Sequence, residues 1–186
     1  MTEDELLSAI RKRIADPKLR IDMTTVDAPP LYGVAAPEVL DRAEAQCGVR
    51  LPALLRRLYA EVENGGFGPG AGLVGVDGGH TDVDGRTSSA LYAELRSQGW
   101  PEGLVPLCDW GGGAWSAIDC QDERIVTMDA SGPTRTRFTL ASWLEAWVSG
   151  IDLSAETFEV EDGIMTNPFT KKATAVKRRG RAKGIA

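Results

Sequence analysis

His80 is the only imidazole in the chain, so it is the one candidate for histidine acid–base chemistry. It lies in a Gly/Asp-rich stretch, GVDGGHTDVDGR, and no G-x-S-x-G supplies a serine for it to activate. Cys47, Cys108 and Cys120 form no Cys-x-x-Cys pair and fit no nucleophile signature. Cys108 and Cys120 fall inside apolar runs, where thiols are buried and inert. One histidine and unpaired cysteines rule out most zinc and His-rich iron sites. Gly70-Ala71-Gly72-Leu73-Val74-Gly75 is a literal G-x-G-x-x-G. The dinucleotide motif follows a strand and opens a helix, whereas here a helix precedes and strand-like residues follow. Asp77, Asp82 and Asp84 lie among glycines like a calcium loop, but counting from Gly85 puts His80 first and Leu91 twelfth. Neither is the acidic ligand that an EF-hand needs there. No catalytic group, metal set or cofactor is therefore expected.

The remaining chemistry is that of a binding surface. Residues 1–170 carry 14 basic against 27 acidic side chains, a net −13, while residues 171–186 carry seven basic and no acidic ones. An acidic body repels phosphate backbones and attracts basic proteins. Between residues 58 and 130, 12 acidic side chains face three basic ones, Arg86, Arg96 and Arg124. Asp77, Asp82 and Asp84 in the Gly-rich loop, with Asp109, Trp110, Trp115 and Asp119 around Gly111-Gly112-Gly113, are the candidate partner-binding residues. Trp110 is cast as an apolar anchor at a hairpin end, although core packing is the commoner fate of such a ring. The four-residue spacing of Trp143 and Trp147 puts both on one core-facing side of a helix.

Several elements must hold these residues. Thr2 and Glu5 form a capping box ahead of Leu6, Leu7, Ile10 and Ile14, and Asp16-Pro17 ends that helix. Ile21–Gly33, with Pro29-Pro30, reads as a linker or turn. Pro37 opens a second helix that Gly48 closes, and Pro52 a third that stops at Asn64-Gly65-Gly66. Ala71–Val76 reads as a strand and Thr87–Gln98 as a helix. Leu104–Trp110, Ala114–Cys120, Arg124–Asp129 and Arg135–Leu140 read as strands, and Ala141–Ser149 as a helix. Asp152–Phe169 has weak strand character. Adjacent strands flanked in sequence by helices predict an α+β fold with a mostly antiparallel sheet. Its core should include Leu54, Leu58, Val74, Leu107, Ile118 and Leu144. The expected layout is an N-terminal helix and linker (1–34), an α+β domain (35–170) and a basic tail (171–186) too poor in apolar residues to fold.

Leu51–Gly66 (LPALLRRLYAEVENGG), the glycine-rich strand after it, Leu104–Cys120 (LVPLCDWGGGAWSAIDC) and Phe138–Gly150 (FTLASWLEAWVSG) follow one another in a telling order. In that order they resemble the SUKH superfamily, which includes bacterial immunity proteins of polymorphic toxin systems and fungal cell-wall-assembly regulators. The resemblance covers residues 35–150. It implies an α+β domain that binds another protein and has no catalytic centre. The immunity reading implies a basic partner, a nuclease-type toxin domain, met in the cytoplasm of the producing cell. The other reading is a regulatory scaffold without a toxin; an enzyme using His80 is the most remote. No set of binding residues is shared across the family. The start of the chain, MTEDELLSAIRKR, does not read as a signal peptide, and no apolar run reaches the roughly 18 residues that span a bilayer.

Overall fold

The computed structural model describes residues 1–23, 27–166 and 168–184. Part of the Ile21–Gly33 linker, residues 24–26, lies outside these. Helix α1 (Glu3–Ile14) carries the expected capping box: the Thr2 hydroxyl accepts from the Glu5 N–H and the Glu5 carboxylate from the Thr2 N–H. Acidic residues fill its first turn and Arg11, Lys12 and Arg13 its last, matching the helix dipole. Helix α2 (Pro37–Cys47) ends at Gly48 in the left-handed conformation. Helix α3 (Ala53–Arg57) runs directly into a π-helical turn, Leu58–Val62, and Glu63 then becomes extended. Helix α4 (Ser88–Ser97) starts on a Thr87 cap.

Four strands follow: β1 (Leu104–Gly111), β2 (Ala114–Asp119), β3 (Arg124–Asp129) and β4 (Gly132–Thr139). They form one antiparallel sheet in the order β1-β2-β3-β4. Helix α5 (Leu140–Val148), with its own capping box at Thr139, packs on β3, β4 and α1. A short helix α6 (Leu153–Thr157) leads into β5 (Phe158–Thr166), which pairs with β6 (Ala173–Ala182) in a separate two-stranded sheet. The fold is α+β, as the strand and helix patterns predict.

All six core residues expected from the sequence are buried, and Trp143 and Trp147 are wholly enclosed. Leu6, Leu7, Ile10 and Ile14 of α1 join the same core, so the N-terminal helix packs with the elements that follow it.

Two expectations fail. Ala71–Val76 is not a strand. It follows the open edge of β1, where Ala71 N–H donates to Asp109 C=O at 3.0 Å and Val74 N–H to Leu107 C=O at 2.7 Å. Gly70 and Gly72 adopt positive φ, which a regular ladder does not accommodate. Leu73 turns the other way and exchanges bonds with Gly66 and Phe67. The segment caps the sheet edge instead of extending it.

The basic tail is also not disordered, because Ala173–Ala182 is strand β6. Its charges are opposed in register by carboxylates of β5: Glu161 faces Arg178, and Asp162 faces Lys177 with an ion pair of 2.5 Å. Its base is pinned to the body. Phe158 is buried against Trp110, and the Arg179 guanidinium sits over the Phe158 ring while donating to the Trp110 and Gly111 carbonyls.

Candidate partner-binding face

The acidic loops are organised by a buried amide. Asn64 follows the π-helical turn and is 3% exposed. Its Oδ1 accepts from Val76 N–H at 2.9 Å, and its Nδ2 donates to the Val76 and Asp77 carbonyls at 3.4 and 3.2 Å. Its backbone accepts from His80 N–H and donates to Gly33 C=O, both at 2.9 Å. One residue thus ties the segment before α2 to both limbs of the Asp77 loop. The approach is so close that a Cβ on Gly75 or Gly79 would overlap Asn64. Glu63, also buried, accepts from Gly33 N–H. The Tyr59 hydroxyl donates to Val74 C=O at 2.7 Å from beneath.

On this support the chain presents Asp77 and Asp84, with side chains 79% and 65% exposed. Between them Val83 is 86% exposed. Tyr32 and His80 lie alongside with ring centroids 5.7 Å apart. Burial lowers the His80 pKa, with the Asp82 carboxylate opposing, so the ring is an uncharged neighbour of Tyr32 at neutral pH. A shallow cleft of about 210 Å³ runs from Pro29 past Val74, His80 and Val83 to Asp109 and Trp115. Leu31 and Val34, either side of Tyr32 and Gly33 in the chain, are also exposed. Acidic rim and apolar floor form one face.

The seven candidate residues separate into two groups. Asp109 and half-buried Trp115 line the cleft, while Asp77 and Asp84 are exposed on the loop beside it, paired with Arg42 and Arg86. Asp82 is at its edge but its side chain is only 1% exposed. It accepts from Arg86 N–H and Nε, each at 2.8 Å, and from Asp84 N–H. Burial pushes its pKa up, but these bonds outweigh burial and hold it below the ordinary carboxylate value. Asp82 therefore shapes the loop and offers little to a partner.

Trp110 corrects the expectation of an anchor. It is 6% exposed, donates to the Ser116 hydroxyl at 2.8 Å and stands edge-on to Phe158. The alternation of β1 turns it towards β5, whose arrival covers the ring. Asp119 is likewise buried and paired with Arg135 at 2.5 Å. Sequence reasoning missed Asn64, Tyr32 and Val83. The Asn-Gly-Gly corner was the available signal for Asn64, but it reads equally well as a simple helix stop.

The thiols are unpaired. Burial raises all three, Cys47 to about 11 and Cys120 to about 12, far from the thiolate range at neutral pH. Among the described residues no three His, Cys, Asp or Glu side chains are placed to hold a metal ion, and no helix is long and apolar enough to cross a membrane.

A helix-flanked antiparallel sheet, with glycine-rich loops fastened over its first strand by a buried Asn, defines an α+β domain whose distinctive surface is a loop face. The profile of the SMI1 / KNR4 family (SUKH-1) matches residues 35–150, and the chain belongs to that family. The family includes toxin-immunity proteins and regulators of the SMI1/KNR4 type. No curated protein matches the chain.

Proposed function

We propose that this protein is a non-catalytic binding module, an immunity protein that neutralises a basic toxin domain of the nuclease type in the cytoplasm. The observation that carries this reading is the loop face: exposed Asp77 and Asp84 flank exposed Val83 beside a cleft ending at Asp109 and Trp115. A nuclease presents lysines and arginines to the phosphates of its substrate. Carboxylates held on a rigid loop can occupy those cations and cover the substrate path. Val83, Tyr32 and Trp115 add apolar contact, which slows dissociation. Family membership supports a protein partner, and the inert thiols and the neutral, lone His80 offer no catalytic set.

The test is affinity capture from the native organism followed by identification of the retained protein and assay of its activity. Recovery of a basic toxin domain that the chain inhibits at about 1:1 stoichiometry supports the reading. Capture of a neutral or acidic cell-wall-assembly partner instead favours the regulatory branch of the family.

A further inference from the structure

We propose that the β5–β6 hairpin is a docking arm that seats on the acidic loop face of a second copy of this chain. This rests on the reading of that face as a protein-binding surface, although it requires no toxin. The hairpin's base is fixed by Phe158 and Arg179, and after a register shift between Phe158 and Val160 the backbone pairing continues to Thr166 opposite Ala173. Beyond the base, Glu159–Thr166 is exposed apart from half-buried Gly163. At roughly 3.3 Å per residue the arm spans about 25 Å.

The arm offers two kinds of surface. Val160 and Ile164 share one side with Ala173 and Ala175, all four exposed, and the Asp162–Lys177 ion pair lies between them on that side. The other kind is charge: residues 158–184 hold seven basic and three acidic side chains, a net +4, with Lys171 and Lys172 following the turn at the far end. Residues 1–157 hold 14 basic and 24 acidic ones, a net −10. A nucleic acid drawn to the arm would meet a repelling body. A second copy answers both features, because its loop face sets Asp77 and Asp84 around Val83 and Tyr32. Reciprocal docking closes a two-fold dimer, and no open chain of molecules results. In such a dimer each arm occupies the face that a toxin must reach. A toxin then binds by displacing the arms, and the dimer is the resting form.

Sedimentation velocity on the full chain, alone, at about 50 and about 500 mM salt tests this. Dimer is expected at low salt, with the dissociation constant rising at least about tenfold at high salt. Two double variants at exposed positions, Lys171→Glu with Lys172→Glu and Asp77→Lys with Asp84→Lys, should each be monomeric. Mixed together they should restore a dimer, because the reversed arm now meets a reversed face, and circular dichroism reports whether each variant is folded. A wild-type chain that stays monomeric at low salt overturns the proposal. So does a dimer indifferent to salt, or one kept by either variant alone. Retention of a DNA duplex by a monomeric chain, lost on reversing Lys171 and Lys172, overturns it in favour of nucleic acid. Because no toxin is present, a failed dimer leaves the toxin-binding reading standing, and a dimer with no toxin partner leaves the arm's role standing.

Discussion

Asn64 shows how much a single buried amide can organise. Its side chain makes three hydrogen bonds to the backbone of Val76 and Asp77, in a place closed to water. Truncation leaves those backbone groups unpaired, at about 1 kcal/mol or more each. Asn64→Ala is therefore expected to lose about 2–4 kcal/mol, a fall in Tm of roughly 4–16 °C at this chain length, read by calorimetry. Asn64→Asp keeps the acceptor for Val76 N–H but turns a buried carboxylate oxygen on the Val76 and Asp77 carbonyls, and should lose at least as much. Asp82 makes a pH-dependent contribution to the same loop. Its folded pKa lies below the unfolded value, so its stabilisation is present above about pH 4 and is lost as the pH falls through the folded value. Denaturant unfolding at successive pH values should show a steeper acid loss for the wild type than for Asp82→Asn. Equal slopes would mean that the Arg86 pairing adds nothing. The sequence exposes the carboxylates but not this difference in duty, since Arg86 pairs with both Asp82 and Asp84 and only the burial of Asp82 sets it apart.

At the scale of elements, the hairpin gives a contrast within one strand. Phe158 is buried against Trp110, whereas Ile164, six residues on, is exposed. Phe158→Ala should cost about 3–5 kcal/mol through the cavity and the uncovering of Trp110. Ile164→Ser should change stability by under about 0.5 kcal/mol. Paired melting curves of the two variants check this, and a large loss in Ile164→Ser would show that the arm packs on its own body. Helices α1–α5 and β1–β4 were legible because capping residues, helical periodicity and turn glycines agree there, whereas Leu153–Thr157, read as weakly strand-like, is helix α6. Ala71–Val76 was misread because its apolar residues serve three partners, β1, Tyr59 and the Gly66–Phe67 turn, which no local pattern records. Lys171–Lys183 was misread because a charge run looks solvated on its own. Only its register against Glu161 and Asp162 makes it a strand. Trp110 is the related case: the sequence leaves a ring at a hairpin end open to either fate, and a strand 48 residues later covers it.

For the whole molecule, charge should govern how fast a partner arrives and apolar contact how long it stays. The chain as a whole carries −6 and the segment from residue 58 to 130, to which Asp77, Asp84 and Asp109 belong, carries −9. Asp77 and Asp84 are mostly exposed and interact with Arg42 at 3.6 Å and Arg86 at 2.7 Å, so neutralising them uncovers no buried charge. In the double variant Asp77→Asn with Asp84→Asn, association with a basic toxin domain should slow several-fold at about 50 mM salt. The difference should shrink towards nothing at about 500 mM, where the Debye length falls below about 5 Å. Dissociation should change less than association. Val83→Ser is the counterpart: its side chain is 86% exposed, so folding should be unaffected, and the loss should lie in faster dissociation. Stopped-flow or surface binding kinetics at the two salt concentrations separate these cases. Wild-type association that ignores salt, or that is slowed equally by both variants, would remove the acidic loop face from recognition and move the search to another surface of the domain.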